Sequence, residues 1–421
     1  MPVTSGTAAG DERLIAAART LMDMVNASFD GASCADRPCV LPEGVTWANM
    51  LSLAITHSLD AASWPYVQGR SDIPEKVRSA WERRSQLSLF RHVRMDAERE
   101  AVFAELDRAG IAYMPLRGTL IANYYPCPEM RTMSDNDFLY GYVECDGQGV
   151  YRGLGSNDTA RARNAERAML AVRDVFAGRG YEVKNLRGGN HDSYHKEPCY
   201  NFEPHRHLIT PTGPHGFYYE NPWRLAKPVH EGGLRFAMDA TDEYIYTVVH
   251  AYKHVVGSGL GLRIVADVRA FWACRGDAMD EGRLVHELDV LGLVEFERAL
   301  RWLAQDGPQA CEECDSAKNL FEYLARCGAY GTREQGIANR LSAVAGKAGP
   351  LGGPAGKVDA RARVHYVLGR LVDREVIEAS FPHASRVRLL LPALVVIRAV
   401  RGFARHPKRL ARELGQVLRS R

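Results

Sequence analysis

The residues best placed to do chemistry in this chain are two aspartates one position apart, Asp135 and Asp137. They sit in the stretch Leu116–Tyr140, LRGTLIANYYPCPEMRTMSDNDFLY. Asp137 runs into the apolar Phe138-Leu139-Tyr140, which reads as a strand. Side chains alternate along a strand, so both carboxylates point to the same face. Two carboxylates on one face repel unless a cation lies between them. Upstream, Arg117-Gly118-Thr119 reads as a turn whose backbone N–H groups could meet a phosphate. Arg131 follows, and arginine forks onto phosphate oxygens or braces an acid. An acidic pair beside a basic glycine turn points to a site for a metal-bound nucleotide, although an Asp-x-Asp alone is more often a solvated turn.

Two further blocks follow in order. Asn190–Leu208, NHDSYHKEPCYNFEPHRHL, holds His191, Asp192, Tyr194, Glu203 and His205. Glu243–Trp272, EYIYTVVHAYKHVVGSGLGLRIVADVRAFW, holds His250, His254, Arg263 and Asp267. Together with the first block's Gly118, Tyr125-Pro126, Arg131 and Asp-x-Asp, the set resembles the uncharacterised bacterial nucleotidyltransferase family, distant kin of the DNA polymerase β superfamily. One position departs from that pattern. The family usually carries Lys before the glycine, and this chain has Arg117, which keeps the charge but replaces a compact ammonium with a planar fork.

The resemblance implies an α+β fold: a small mixed β-sheet nucleotidyltransferase core flanked by N-terminal helices and a large C-terminal helical region. It implies an enzyme that moves a nucleoside monophosphate from an NTP, with ATP the first choice, to an acceptor. Asp135, Asp137 and Glu203 would be the catalytic and metal-holding acids, with Mg²⁺ or Mn²⁺ as cofactor, because hard divalent ions take oxygen ligands and share them with phosphates. Arg117, Gly118, Thr119 and Arg131 would hold the nucleotide, helped by a helix starting at the glycine turn. His205, His250, His254, Arg263 and Asp267 would touch substrate. The acceptor stays open among a sugar, another small molecule, RNA and protein. Two other classes remain: a nucleotide-binding scaffold that has lost catalysis, and a metal-dependent hydrolase built on His191, His195, His205 and His207.

The elements that must position these residues follow from periodicity. Apolar spacing predicts helices over 11–28, 47–58 and 74–109. From Ile111 the texture becomes mixed, with strands expected at 111–116, 137–142, 180–183 and 200–205 and helices at 119–124 and 158–178. Past Thr241 the pattern is helical: 241–256, 262–275, 280–289, 292–305, 312–326, 333–345, 359–379 and 384–418. Three regions result: 1–107 N-terminal and helical, 108–235 the α+β core, 236–421 C-terminal and helical. Lys347–Lys357, KAGPLGGPAGK, reads as a linker.

The net charge of +3 names no partner by itself. The charge is uneven, since Arg386–Arg421 carries nine Arg and one Lys against Glu413 alone. This basic end would be a solvated helix face, a polyanion contact or an anionic membrane contact beside LLLPALVVI. No secretory leader or membrane-length apolar run is evident, so a cytoplasmic protein is expected. Nine cysteines, an odd number, argue for reduced thiols. Cys34, Cys39, Cys311 and Cys314 could make a four-thiolate zinc site only if the two pairs meet.

Overall fold

A computed structural model describes residues 8–31, 38–186, 189–331, 333–344 and 391–405. Four helices come first: α1 (Ala8–Phe29), α2 (Trp47–Thr56), α3 (Asp60–Val67) and α4 (Glu75–Arg108). The central region holds β1 (Ala112–Pro115), α5 (Gly118–Ile121), β2 (Asn136–Gly141), β3 (Val143–Cys145), β4 (Tyr151–Gly153), α6 (Asp158–Gly178), β5 (Glu182–Asn185), β6 (Ser193–Lys196), β7 (Tyr200–His205), β8 (Ala226–Pro228) and β9 (Phe236–Met238). Helices then return as α7 (Ala240–Val256), α8 (Arg263–Arg275), α9 (Glu281–Val290), α10 (Val294–Gln305), α11 (Ala310–Glu313), α12 (Asp315–Cys327), α13 (Arg333–Val344) and α14 (Leu391–Arg405). The expected α+β class with a small mixed sheet is what the chain adopts.

The five-stranded sheet runs β1-β2-β7-β6-β5. Only the central β2/β7 pair is parallel; the others are antiparallel. Alternation sorts its faces. Tyr113, Phe138, Tyr140, Tyr194 and Phe202 join Val102, Phe103 and Leu106 of α4 and Met169, Val172 and Phe176 of α6 in one buried cluster. Phe176 stacks on Tyr194 with ring centroids 4.3 Å apart. Two helices therefore cover one face, and the residues between those aromatics along β2 and β7 are left to the other.

The same device delivers α4 and α6 into the sheet. Each ends two residues before a left-handed glycine step, Gly110 at φ +66 and Gly180 at φ +75. In each case the next N–H turns back onto the last helical turn, Ile111 to the Leu106 carbonyl and Tyr181 to that of Phe176, both at 3.0 Å. Glycine adopts this conformation without Cβ strain, and the reversal satisfies a helix-end carbonyl. Helix starts are capped as locally: Asn157 accepts from Ala160 N at 2.9 Å before α6, and Thr46 and Asn49 form a reciprocal cap before α2.

The chain divides into two compact units, Met1–Ala251 with Leu262–Ala310, and Tyr252–Gly261 with Cys311–Arg421. In the first, α8 packs on α10. In the second, Tyr323 donates to the Val255 carbonyl at 2.6 Å, and Asn339 donates to the carbonyls of Val255 and Gly257. The expected helix at 359–379, the Lys347–Lys357 linker, Cys34 and the basic end beyond Arg405 lie outside the described residues. Among the described residues, no helix is long and apolar enough to cross a membrane.

Candidate active site

β2 and β7 are in register, with Asp137 opposite Glu203, Phe138 opposite Pro204 and Leu139 opposite His205. Phe138 faces the aromatic core, so Asp137 faces the other way, and Glu203 emerges beside it on the same face. Asp135, two residues before Asp137, completes the acidic set. The three acids expected from the sequence are thus brought together by one parallel strand pair.

Arg117 reaches this face because the backbone pairing of β1 extends past the strand: Leu116 N donates to the Asp137 carbonyl at 2.9 Å. Arg117 itself has φ 41, rare for a residue with a Cβ, and this strained step aims its side chain back at the acids. Its Nη2 forms an ion pair with Asp137 Oδ2. Its Nη1 lies 2.6 Å from Nδ1 of His250 on α7. Guanidinium is donor-only, so His250 accepts through Nδ1 and is neutral on that side. His205 Nε2 lies 3.1 Å from Asp137 Oδ1, so both oxygens of this buried carboxylate are engaged.

The electrostatics follow from burial and crowding. Burial alone would raise the Asp137 pKa, but the Arg117 charge and the His205 hydrogen bond overcome it and hold the group well below the usual carboxylate range. Burial, then the charges of Asp137 and Asp135, push Glu203 up to about 8. Asp135 rises to about 6 through burial and the Asp137 charge, against the pull of Arg117, Arg263 and Arg131. Arg117 thus pairs with Asp137 while Glu203 and Asp135 are pushed up by crowding. This donor set fits a divalent ion, since an oxygen-rich concentration of negative charge is what such an ion relieves.

Arg131 is seated elsewhere. Its Nε and Nη2 meet Asp267 Oδ1 and Oδ2 of α8 at 2.8 and 3.0 Å, and Tyr125 Oη donates to the same Oδ1 at 2.7 Å. All three residues are buried. This fork occupies the guanidinium that the sequence reading assigned to phosphate, and it braces the loop leading to Asp135. Gly118 belongs to the same arrangement, because a Cβ there would fall 2.9 Å from Arg131 Nη1. Asp267 therefore bonds Arg131 and Tyr125, while Arg263 reaches the Thr132 carbonyl at 3.4 Å. α5 is only four residues long, too short for much of a macrodipole. Thr119 is buried in it, and its hydroxyl has no hydrogen-bond partner among the described residues.

The histidines separate. His191 and His205 form an isolated antiparallel bridge with ring centroids 5.0 Å apart, and His191 Nε2 lies 3.2 Å from Glu203 Oε2. His195 is exposed on β6, and burial lowers the pKa of His207, helped by Arg206. His254 lies on the last turn of α7, within the second unit. Asp192 and Tyr194 of the same sequence block serve the fold: Asp192 bonds Arg206, and Tyr194 is core. Sequence reasoning missed Tyr246, one helical turn before His250 and buried near Arg117 and Asp137, which influence its hydroxyl. The four-residue spacing from His250 was its only signal.

With this geometry in view, the comparison with family models is decisive: the model described as uncharacterised nucleotidyltransferase matches residues 43–143 and 165–306, more than half of the chain. The chain belongs to that family. No curated protein and no solved structure matches it. The matched segments of this nucleotidyltransferase include Arg117, Asp135, Asp137, Glu203, His250 and Asp267, so the acid cluster and its braces lie within the family region. The interval between them, 144–164, holds β4 and the start of α6.

Proposed function

We propose that this nucleotidyltransferase transfers a nucleoside monophosphate from an NTP, with ATP the first candidate, to an acceptor hydroxyl through the face that carries Asp135, Asp137 and Glu203. The reading is supported above all by the in-register pairing of Asp137 with Glu203, which sets two acids side by side and places Asp135 next to them. Descent from the DNA polymerase β superfamily, a bacterial source and a cytoplasmic location belong to the same reading. Mg²⁺ or Mn²⁺ held by these acids would screen the triphosphate and stabilise charge on the oxygens around the reacting phosphorus.

The chain's own residues supply the rest. In the reaction the acceptor oxygen bonds to the α-phosphorus, the bond from that phosphorus to the bridging oxygen breaks, and pyrophosphate leaves. Glu203 takes the acceptor's proton. Arg117 neutralises Asp137 before nucleotide arrives, and its fork can then turn to a phosphate oxygen. Gly118 and Thr119 lie beside it for further phosphate contact, Arg131 holds the loop, and His250 steadies Arg117. His205, Arg263 and Asp267 shape the acceptor side directly or by bracing.

The test is incubation with Mg²⁺ and each NTP in a lysate, with label at the α- or the γ-phosphate. Label from the α position should appear on an acceptor with wild-type protein and be lost with Asp137→Asn. Label only from the γ position would mean phosphoryl transfer. Free nucleoside monophosphate with no labelled acceptor would favour a hydrolase, the reading to which the His191–Glu203–His205 group lends weight.

A further inference from the structure

We infer that the Glu203 side of the acid cluster is a mixed nitrogen–oxygen metal site, formed by His191, Glu203 and His205, that selects a transition-metal ion over magnesium. Each residue offers a ligand atom within 4.8 Å of the other two. Their placement is imposed by the backbone. Glu203 and His205 are alternate residues of β7 and so share a face. His191 is set against His205 because the chain at 190–192 runs antiparallel beside the end of β7, with Asp192 N on the Pro204 carbonyl and Arg206 N on that of Asn190.

His205 carries the mark of a ligand. Asp137 is ion-paired with Arg117, hence ionised and able only to accept. The His205 Nε2 that faces it must therefore carry the hydrogen, so that a ring giving up its second proton to a metal would offer its lone pair at Nδ1. Among the described residues that atom has no hydrogen-bond partner, and it is buried in a side chain 5% exposed. A histidine that gives one ring N–H to a carboxylate and keeps its other nitrogen for a metal is the usual outer-shell arrangement. It fixes the tautomer and makes the ring a better donor. A buried nitrogen with no partner is costly, and an ion would satisfy it.

The donor types choose the ion. Magnesium prefers six oxygens and keeps much of its water, whereas imidazole suits Zn²⁺ and Fe²⁺; Mn²⁺ is content with oxygen but accepts imidazole more readily than magnesium does. Two imidazoles with one carboxylate therefore favour the latter group. Asp135 and Asp137 offer oxygen alone and would suit the nucleotide-side ion. This division deepens the proposed transfer reaction by giving its two ion positions different chemistry. Binding of the metal alone does not depend on that reaction being right.

The full chain, stripped with chelator and without nucleotide, is titrated with ZnCl₂, MnCl₂ and MgCl₂ by calorimetry. One equivalent of Zn²⁺ should bind at least a hundredfold, and of Mn²⁺ several-fold, more tightly than Mg²⁺. His191→Ala, which alters a partly exposed side chain, should weaken Zn²⁺ and Mn²⁺ at least tenfold, while His195→Ala changes nothing. Pulsed electron spin resonance of the Mn²⁺ form should show imidazole nitrogen coupling that His191→Ala reduces. Equal Zn²⁺, Mn²⁺ and Mg²⁺ affinities, or Mn²⁺ without nitrogen coupling, would overturn the inference. If His191→Ala does not fold, the wild-type coupling decides alone. A chain that binds Zn²⁺ tightly but labels no acceptor sinks the transfer reading and leaves this one standing. A chain that labels an acceptor with Mg²⁺ and ignores Zn²⁺ and Mn²⁺ does the reverse.

Discussion

At Asp137 function and stability fall on one side chain. A solvated ligand-site acid could be removed with the fold intact, but Asp137 is 3% exposed and paired with Arg117. Asp137→Ala should abolish transfer and also destabilise the metal-free protein by about 3–5 kcal/mol, because Arg117 is left charged and half-buried. Denaturant melts of the stripped protein measure this, and an unchanged midpoint would mean that Arg117 finds water instead. Arg131→Met should cost a similar amount by stranding Asp267, whereas Arg131→Met with Asp267→Leu should recover most of it. If the double variant is no better than the single, the pair is not the energetic unit described here. The acids were legible from sequence because a spacing of two on a strand leaves little freedom. The partner of Arg131 was not, because Asp267 arrives from a distant helix and an arginine beside acids reads equally well as a phosphate ligand.

Among the elements, the turn between β1 and α5 is the most constrained. Gly118 is required there by a neighbour rather than by its own torsion. Gly118→Ala should lower stability by roughly 1–3 kcal/mol, since Arg131 is locked by Asp267 and cannot swing aside cheaply. In an Arg131→Met background that penalty should shrink, and thermal melts of the four proteins would show it; an equal penalty in both would place the clash elsewhere. Helices were read well wherever an apolar stripe ran long, as in α4, buried at Trp81, Ser88, Met95 and Val102 in steps of seven, and in α6, found at 158–178 as expected. α3 was missed because Pro65 sits inside it and reads as a breaker. β6 and the β3/β4 and β8/β9 pairs were missed because strands of three or four residues carry too few alternations to register.

Over the whole molecule, buried acids outside the Asp135–Asp137–Glu203 cluster tilt the balance of stability with pH. Burial raises Glu243 from 4.5 to about 7, partly offset by hydrogen bonds from Tyr124 and the Arg275 charge. Asp242 is raised as well, by burial and by Asp239. A carboxyl whose folded pKa lies above its unfolded value stabilises fully below the unfolded value, and the contribution fades as pH rises through the folded one. The fold should therefore weaken between about pH 4.5 and 7, with Glu243 accounting for up to about 3 kcal/mol. Asp267 acts oppositely, because Arg131 overcomes its burial, and its contribution disappears in acid. Glu243→Gln should flatten the alkaline side of a melting-temperature profile; an unchanged slope would assign the effect to other groups. The pairing of β2 with β7 also has a kinetic meaning. The β6–β7 hairpin can close locally, but its docking on β2 joins distant parts of the chain, and such contacts form late. A slip of one residue would turn Glu203 toward the aromatic side and Phe202 toward water. Affinity for a divalent ion cannot precede the correct alignment, so in stopped-flow refolding the uptake of ion should coincide with the slowest phase and serve as a clock for the finished sheet.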